Sequence, residues 1–327
     1  MPRILIAGLG SIGVRHLKNL LQLGVEDILL LRTKNEPIQE APHLPVFTNL
    51  EEALKQKPDA IIISTPTSHH LNIALPAVKA GCHLFMEKPL SHTWEGVETL
   101  LSIAKEKKII GMIGFDMHFD PGLRKVHQLI NYGSIGRITS IQAQVGQYLP
   151  DWHPWEDYRK GVSARIDTGG GVILDLIHEI DYVTWLLGEA QEVMSMNGHV
   201  SNLEIETEDT AAIVIRFKNN AIGTINLDYI QRTLSRSCRI VGEEGTILWD
   251  LINQKVSWFL AADKIWHEFS YSGFQRNDRF VTEMKHFLDC LQGDNQPEVN
   301  LESGSQSLKI ALAAKESGKT GKVVALQ

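Results

Sequence analysis

Long apolar runs are missing from this chain. None approaches the roughly 20 residues that a membrane-spanning helix needs. The first run, Ile4 to Ala7, reaches Gly8 after four residues, too short for the apolar centre of a secretory signal. Positive charge is not in excess either. Lys and Arg number 32 against 39 Asp and Glu, a net charge of −7, and no long basic segment occurs. A nucleic-acid backbone is therefore not an expected partner, although one local pocket can still hold a small anion. Cysteine is scarce. Cys82, Cys238 and Cys290 lie far apart with no C-x-x-C pair, which excludes a cysteine zinc site and a disulfide framework. They are expected to be reduced, buried thiols of a cytoplasmic protein. Internal repeats and low-complexity tracts are absent too. What remains is an ordinary globular composition, 43% hydrophobic and 22% charged over 327 residues. That length fits two domains or one unusually large α/β unit.

Strand and helix signals alternate through the first third. Ile4 to Ala7, Asp27 to Leu31, Ala60 to Ile63, His83 to Met86 and Ile109 to Ile113 fit short buried strands. Helical patterns lie between them. Ser11 to Leu23 carries Ile12, Leu17, Leu20 and Leu21 near helical spacing. Thr48 and Glu51 form a capping-box pattern that predicts a helix start. His70 to Ala80 closes on Gly81, and Trp94 to Lys107 predicts a further helix. Such alternation means crossover units and a parallel sheet. The pattern changes near residue 116. Asp120-Pro121 starts a helix, and alternating stretches follow at Ile138 to Val145, Ala211 to Phe217, Ile222 to Tyr229 and Cys238 to Val241. They predict a large, mostly antiparallel open sheet, interrupted by one helix from Ile173 to Leu187. Helices at Arg279 to Leu291 and Leu301 to Lys315 end the pattern. The expected division is 1–118 and 119–327.

Gly8-Leu9-Gly10-Ser11-Ile12-Gly13 matches G-x-G-x-x-G between a predicted strand and a predicted helix. A ligand-free glycine turn has the same letters, but the strand and helix around this one favour a Rossmann dinucleotide-binding domain. Gly8 permits the turn, Gly10 lets backbone approach a pyrophosphate, and Gly13 lets helix and strand pack closely. Ser11 and Ile12 complete the loop. About 20 residues on, where an acid would mark NAD, the chain has Arg32, Thr33 and Lys34. A cation there suits the 2′-phosphate of NADP, which is favoured over NAD; an Arg stacked on adenine in an NAD enzyme is the alternative.

Thr65-Pro66 follows the third strand, with His70 five residues after Thr65, then Ala80-Gly81, His83 and Glu87-Lys88-Pro89. Gly169-Gly170-Gly171 leads into Asp175, His178 and Asp181. Together these motifs resemble the Gfo/Idh/MocA oxidoreductases, the glucose–fructose oxidoreductase and inositol dehydrogenase family, over nearly the whole chain. The sequence departs from that pattern at Thr67, where the family often has Asn, and at Asp116 and His118 in the run before Asp120-Pro121.

The resemblance implies hydride transfer between a nicotinamide and a carbinol carbon of a sugar, cyclitol or nucleotide-sugar derivative. It implies Thr65, Pro66, His70, Glu87 and Lys88 beside the cofactor, and Lys88, Asp175 and His178 as catalytic and substrate-contacting groups. His178 suits proton transfer because imidazole titrates near neutrality. Asp175, three residues before it, would share its helix face. The Lys88 ammonium would polarise the reacting oxygen. Each has a plain structural alternative: a surface lysine paired with Glu87, and a buried histidine satisfied by an aspartate. Asp181 is expected to hold a backbone group. Two other activities exist on the same fold, glycoside hydrolysis through transient oxidation by bound NAD, and NADP sensing without catalysis. Turnover of the cofactor separates them.

The segment from Gln147 to Arg159 is dense in aromatic and polar groups. Trp152 and Tyr158 can stack on a sugar, and Arg159, Lys160 and Arg165 can hold a phosphate or carboxylate; an oligomer contact is the alternative. Glu283 and His286, three apart with no third ligand, are expected to decorate a helix rather than bind metal. Finally, Ile138, Ser140, Gln142 and Gln144 form an uncharged strand face opposite Thr139, Ile141, Ala143 and Val145. An uncharged sheet face predicts a homodimer or homotetramer assembled through the sheet, a course the resembled family also takes.

Overall fold

The computed structural model describes residues 2–326. Two compact units emerge. One takes the chain through Asp116 and also Arg276–Ser305; the other takes Met117–Gln275 and the chain from Gln306. A single division after residue 118 would leave Arg276–Ser305 with the second unit. Its apolar face explains where it belongs: Phe280 and Phe287 pack against His16 and Phe85 of the first unit.

The first unit contains β1 (Ile4–Ala7), α1 (Ser11–Gln22), β2 (Ile28–Leu31), β3 (Val46–Phe47), α2 (Leu50–Leu54), β4 (Ala60–Ile63), α3 (His70–Ala80), β5 (His83–Glu87), α4 (Val97–Glu106) and β6 (Gly111–Gly114). Its six strands are ordered β3-β2-β1-β4-β5-β6, and every pair is parallel. Strands β1, β4 and β6 are buried along their whole length, as expected where helices cover both faces. Two helix starts differ from the sequence expectation. Asn49, not Thr48, caps α2, its side chain accepting from the Glu52 N–H. The helix expected from Trp94 begins at Val97, because Gly96 sits in the left-handed region (φ 82°), which a continuing helix cannot use.

The second unit opens with α5 (Pro121–Asn131), where the Asp120 side chain caps the Gly122 and Leu123 N–H groups. Then come β7 (Ile138–Gly146), α6 (Val172–Asp175), α7 (His178–Leu187), β8 (Ala190–Gly198), β9 (Thr210–Phe217), β10 (Ile222–Asp228), β11 (Ser235–Gly242), β12 (Gly245–Asp250), β13 (Lys255–Leu260) and β14 (Ile265–Ser270). Helices α8 (Arg276–Gln292) and α9 (Leu301–Thr320) and the short β15 (Val324–Ala325) complete the chain. The nine strands are ordered β14-β13-β12-β11-β7-β10-β9-β8-β15. Only β7 and β10 run parallel; the other pairs are antiparallel. Strands β8, β12, β13 and β14 escaped the sequence pattern because their outward positions carry Met, Leu, Trp and Phe, which blurs the alternation.

Burial in this sheet alternates. Ile141, Ala143, Val145, Ile213, Ile225 and Trp249 are buried, and α5, α6 and α7 pack on the sheet. Gln142 and Gln144 are exposed. The opposite face is not free of charge, as the β7 residues alone suggested: Arg239, Asp250 and Lys255 line the same shallow concavity as Gln142 and Gln144. Among the described residues, no helix is long and apolar enough to cross a membrane.

Candidate active site

The parallel register brings the strand ends of the first unit to one edge. Ala7 pairs with Leu31 and with Ile63, and Ile63 with Met86. Gly8, Arg32, Thr65 and the Glu87-Lys88 turn therefore follow the carboxyl ends of neighbouring strands, where ligands bind in such sheets. The three loop glycines have different surroundings. Gly8 has φ 93°, and a Cβ there would lie 2.7 Å from the Ser64 carbonyl oxygen. At Gly13 a Cβ would lie 2.1 Å from the Gly8 carbonyl oxygen. At Gly10 it would meet nothing within 4 Å. Gly10 is also the N-cap of α1 and makes no side-chain cap, so the first N–H groups of the helix face an open side. Ser11 is exposed and Ile12 half-buried. Thr65 Oγ1, at the next strand end, is buried without a hydrogen-bond partner. An open glycine edge, an uncapped helix start and a buried hydroxyl in need of a partner fit a dinucleotide's pyrophosphate.

Arg32 Nη1 donates to the Glu36 carbonyl at 3.0 Å, while Thr33 and Lys34 are exposed. His70 is buried, and its ring nitrogens lie 3.0 Å from the Thr65 and Pro89 carbonyl oxygens. Burial lowers its pKa, outweighing the two carbonyls that favour the charged ring. His70 thus lies between the Thr65 and Pro89 loops; the neutral ring donates to one of the two carbonyls, and only a protonated ring donates to both. Lys88 is half-buried. Glu87 does not pair with it at the surface: its Oε1 meets His16 Nε2 at 2.6 Å.

In the second unit, the helix expected from Ile173 to Leu187 is broken. Asp175 ends α6 and His178 begins α7, so the two do not share one continuous helix face. The glycine run explains the start of α6. Gly171 has φ 114°, and its Cβ would strike the Glu208 carboxylate at 2.5 Å. Glu208 lies against the α6 start and is held by Lys315 Nζ at 2.9 Å. Tyr229, beyond β10, donates its hydroxyl to Asp175 Oδ2 at 2.6 Å. Burial and the Asp175 charge push the Tyr229 hydroxyl well above its usual pKa, so it keeps the proton it donates. Trp152 stands edge-on to Tyr229, ring centres 5.3 Å apart. Trp152, Tyr229 and Asp175 thus form one continuous group.

Other predicted contacts are engaged elsewhere. Tyr158 Oη accepts the Glu204 N–H at 3.3 Å. Arg165 pairs with Asp167 at 2.6 Å, and Arg159 with Asp157 and Glu204 at 2.8 Å each. The expected anion site therefore has two of its three cations already matched by acids. Asp181 holds side chains rather than backbone: His118 Nε2 at 2.7 Å and Ser307 Oγ at 3.1 Å. Asp116 pairs with Arg279 at 2.8 Å. Asp116 and His118, two of the departures from the family pattern, are thus buried inside their own units. Glu283 does not decorate a surface; it is 0% exposed, and His286 accepts the Glu298 N–H at 3.0 Å.

Two residues were missed in the sequence. Tyr229 closes an apolar strand, and a buried Tyr hydroxyl demands a partner. His16 lies on the apolar face of α1, between Gly13 and Leu17, where a buried ring likewise needs one.

A parallel Rossmann unit with an open glycine loop is followed by a mostly antiparallel sheet unit that carries Asp175, His178 and Tyr229. Residues 2–115 match the oxidoreductase family's NAD-binding Rossmann fold and residues 127–326 its C-terminal alpha/beta domain. The chain belongs to the Gfo/Idh/MocA oxidoreductase family and is an NAD(P)-dependent oxidoreductase. It is 27% identical to myo-inositol 2-dehydrogenase of Thermotoga maritima, covering 99% of this chain and 98% of that protein. It is 26% identical to scyllo-inositol 2-dehydrogenase (NAD(+)) of Bacillus subtilis, covering 99% and 96%. The WlbA dehydrogenase of Bordetella pertussis, solved with NADH and UDP-GlcNAcA, has the same fold: TM-score 0.85 at 23% identity, covering 100% of this chain and 98% of that one.

Proposed function

We propose that this enzyme moves hydride between a nicotinamide and a carbinol carbon of a sugar, cyclitol or nucleotide-sugar derivative. The observation that carries this is the Trp152–Tyr229–Asp175 group: an aromatic edge beside a carboxylate whose orientation a buried hydroxyl holds. Such a pairing suits a polyol, with a ring to lie against its C–H face and an acceptor for its hydroxyls. The inositol dehydrogenase relatives act on substrates of this class.

When bound, the nicotinamide supplies the hydride acceptor or donor. The loop of Gly8, Gly10, Ser11, Ile12 and Gly13 would hold the pyrophosphate with backbone N–H groups, and Thr65 and Pro66 follow the strand end on the same edge. In the oxidation direction the imidazole of His178 takes the hydroxyl proton, and in the reverse direction it returns it. Asp175, fixed by Tyr229, accepts a neighbouring hydroxyl and orients the carbinol carbon. Lys88 Nζ donates to the reacting oxygen, stabilising the charge that develops there as the proton leaves.

NADP is preferred over NAD, through Arg32 with Thr33 and Lys34. Arg32→Asp then weakens NADP by about tenfold or more and NAD far less; equal affinities of the unaltered protein for the two cofactors would remove the preference. The protein is cytoplasmic and assembles as a homodimer or homotetramer through the face bearing Gln142, Gln144 and the exposed Met194, Met196 and Val214. The deciding experiment offers inositols, monosaccharides and nucleotide-sugars with NAD and with NADP and follows absorbance of the reduced nicotinamide. Steady turnover with a polyol is expected. Activity only on non-carbohydrate alcohols would end the substrate assignment.

A further inference from the structure

Beneath the Glu87-Lys88 turn, the first unit encloses an unusual set of charged groups. His16, Glu87, Asp116, Arg279 and Glu283 are between 0% and 8% exposed. They come from four places in the chain: α1, the end of β5, the residues after β6, and α8. Their neighbours are apolar or small. His16 stands edge-on to Phe85 at 5.1 Å and to Phe280 at 6.4 Å. Arg15 lies over the other ring in this wall, Phe280, at 4.5 Å. A Cβ on Gly114 would come within 3.4 Å of the Glu87 carboxyl carbon.

Two of the three acids have a partner. Asp116 meets Arg279 at 2.8 Å, and Glu87 meets His16 at 2.6 Å. Glu283 has none: neither of its carboxyl oxygens makes a hydrogen bond. Glu283 shares the buried face of α8 with Arg279, Phe280 and Phe287, which meet Asp116, His16 and Phe85 respectively, so a carboxylate there would add a third buried acid to this cluster, with one Arg and one His already engaged. Desolvating such a charge without a partner costs several kcal/mol, and a carboxyl so placed takes up a proton instead.

We propose that Glu283 is a positioning residue for the Glu87–Lys88 turn: as a neutral carboxyl it leaves the His16–Glu87 bond intact, and its ionisation would drive Glu87 away and displace Lys88. This rests on the proposed dinucleotide site, beside which the family resemblance puts Glu87 and Lys88. The direction of the Glu283 pKa agrees. Burial raises it well above the ordinary value, Asp116 and Glu87 raise it further, and Arg279 opposes them.

A group whose pKa is raised on folding contributes its full stability below the unfolded value and loses it as pH rises toward the folded one. Glu283→Gln keeps the shape of the neutral acid and removes this dependence. Urea unfolding and NADH fluorescence titration of both proteins, from about pH 5 to about pH 9, test the assignment. The unfolding constant of the unaltered protein should rise relative to Glu283→Gln by up to about tenfold per pH unit. Affinity for NADH should match at the acid end and fall at the alkaline end only in the unaltered protein. Parallel pH profiles in either measurement would overturn the assignment. If the unaltered protein binds neither NADH nor NADPH at any pH, the cofactor role of Glu87 and Lys88 fails instead, and the unfolding comparison still decides whether Glu283 is neutral. Should Glu283→Gln not fold, Glu283→Met, similar in volume and uncharged, takes its place.

Discussion

At Gly10 an added Cβ would meet nothing within 4 Å, whereas at Gly170 it would lie 2.2 Å from the Val162 carbonyl oxygen and 2.6 Å from that of Ser163. Both glycines belong to short glycine-rich segments that open a helix, and both helices carry or adjoin functional residues. In the first unit the missing side chain leaves the start of α1 open. In the second it lets two backbone segments of the protein approach each other, which seats α6 and so places Asp175. A glycine motif alone does not distinguish these cases, because the letter records only that a side chain is absent. The difference lies in what stands opposite.

The two units can be set against each other by substitution, beginning with the largest effect. His178→Ala should lower kcat by about 10²–10⁴-fold, the usual contribution of general acid–base catalysis. NADH affinity, measured by fluorescence, should stay unchanged, because the phosphate loop lies in the other unit. Near-normal turnover would make His178 a buried structural histidine.

Gly170→Ala should cost about 1–3 kcal/mol in urea unfolding, the range for forced overpacking, with NADH affinity intact. Gly10→Ala should do the reverse: stability within about 0.5 kcal/mol, as for an unhindered surface site, and weaker NADH binding. Equal losses of stability at both positions would erase the contrast between the two glycines.

Tyr229→Phe removes the donor to Asp175 and keeps the ring against Trp152. A hydrogen bond to a charged group is worth about 1.5–3 kcal/mol, so kcat should fall about tenfold or more while NADH binding stays normal. Unaltered kinetics would mean that Asp175 is positioned by its other neighbours. The smallest effect is expected in assembly. Gln142→Glu with Gln144→Lys should shift sedimentation toward smaller species while leaving the melting temperature of the separate units nearly the same. A wild-type monomer at micromolar concentration would end the sheet-face assembly.

Much of the first unit could be read from its residues. Continuous apolar runs such as Ala60 to Ile63 are buried on both faces, so every position reports the same thing. The nine-stranded sheet was harder. Strand β7 was legible because Gln142 and Gln144 alternate with Ile141, Ala143 and Val145. Strands β13 and β14 were not, since Trp258, Phe259, Ile265 and Trp266 fall on both faces. The helix break between Asp175 and His178 left no Gly or Pro to mark it. Among candidate site residues, the glycine loop was visible from spacing, and the strand-end positions from the family resemblance. His70 was visible as a motif residue but not as a buried ring between the Thr65 and Pro89 loops. Tyr229 was passed over as the last residue of a strand.

The sequence by itself determined the two architectures, the open phosphate loop and the residue types available for hydride chemistry. These depend on local period, turn chemistry and motif spacing, which are properties of neighbours along the chain. Only the tertiary structure decided the pairings: His16 with Glu87, Asp116 with Arg279, His118 with Asp181, Tyr229 with Asp175, and Glu283 with no hydrogen-bond partner among the described residues. Most of these join residues more than 50 positions apart. Whether a buried acid is matched, and so whether it keeps its charge, depends on which distant side chain folding brings beside it, and no local pattern carries that information.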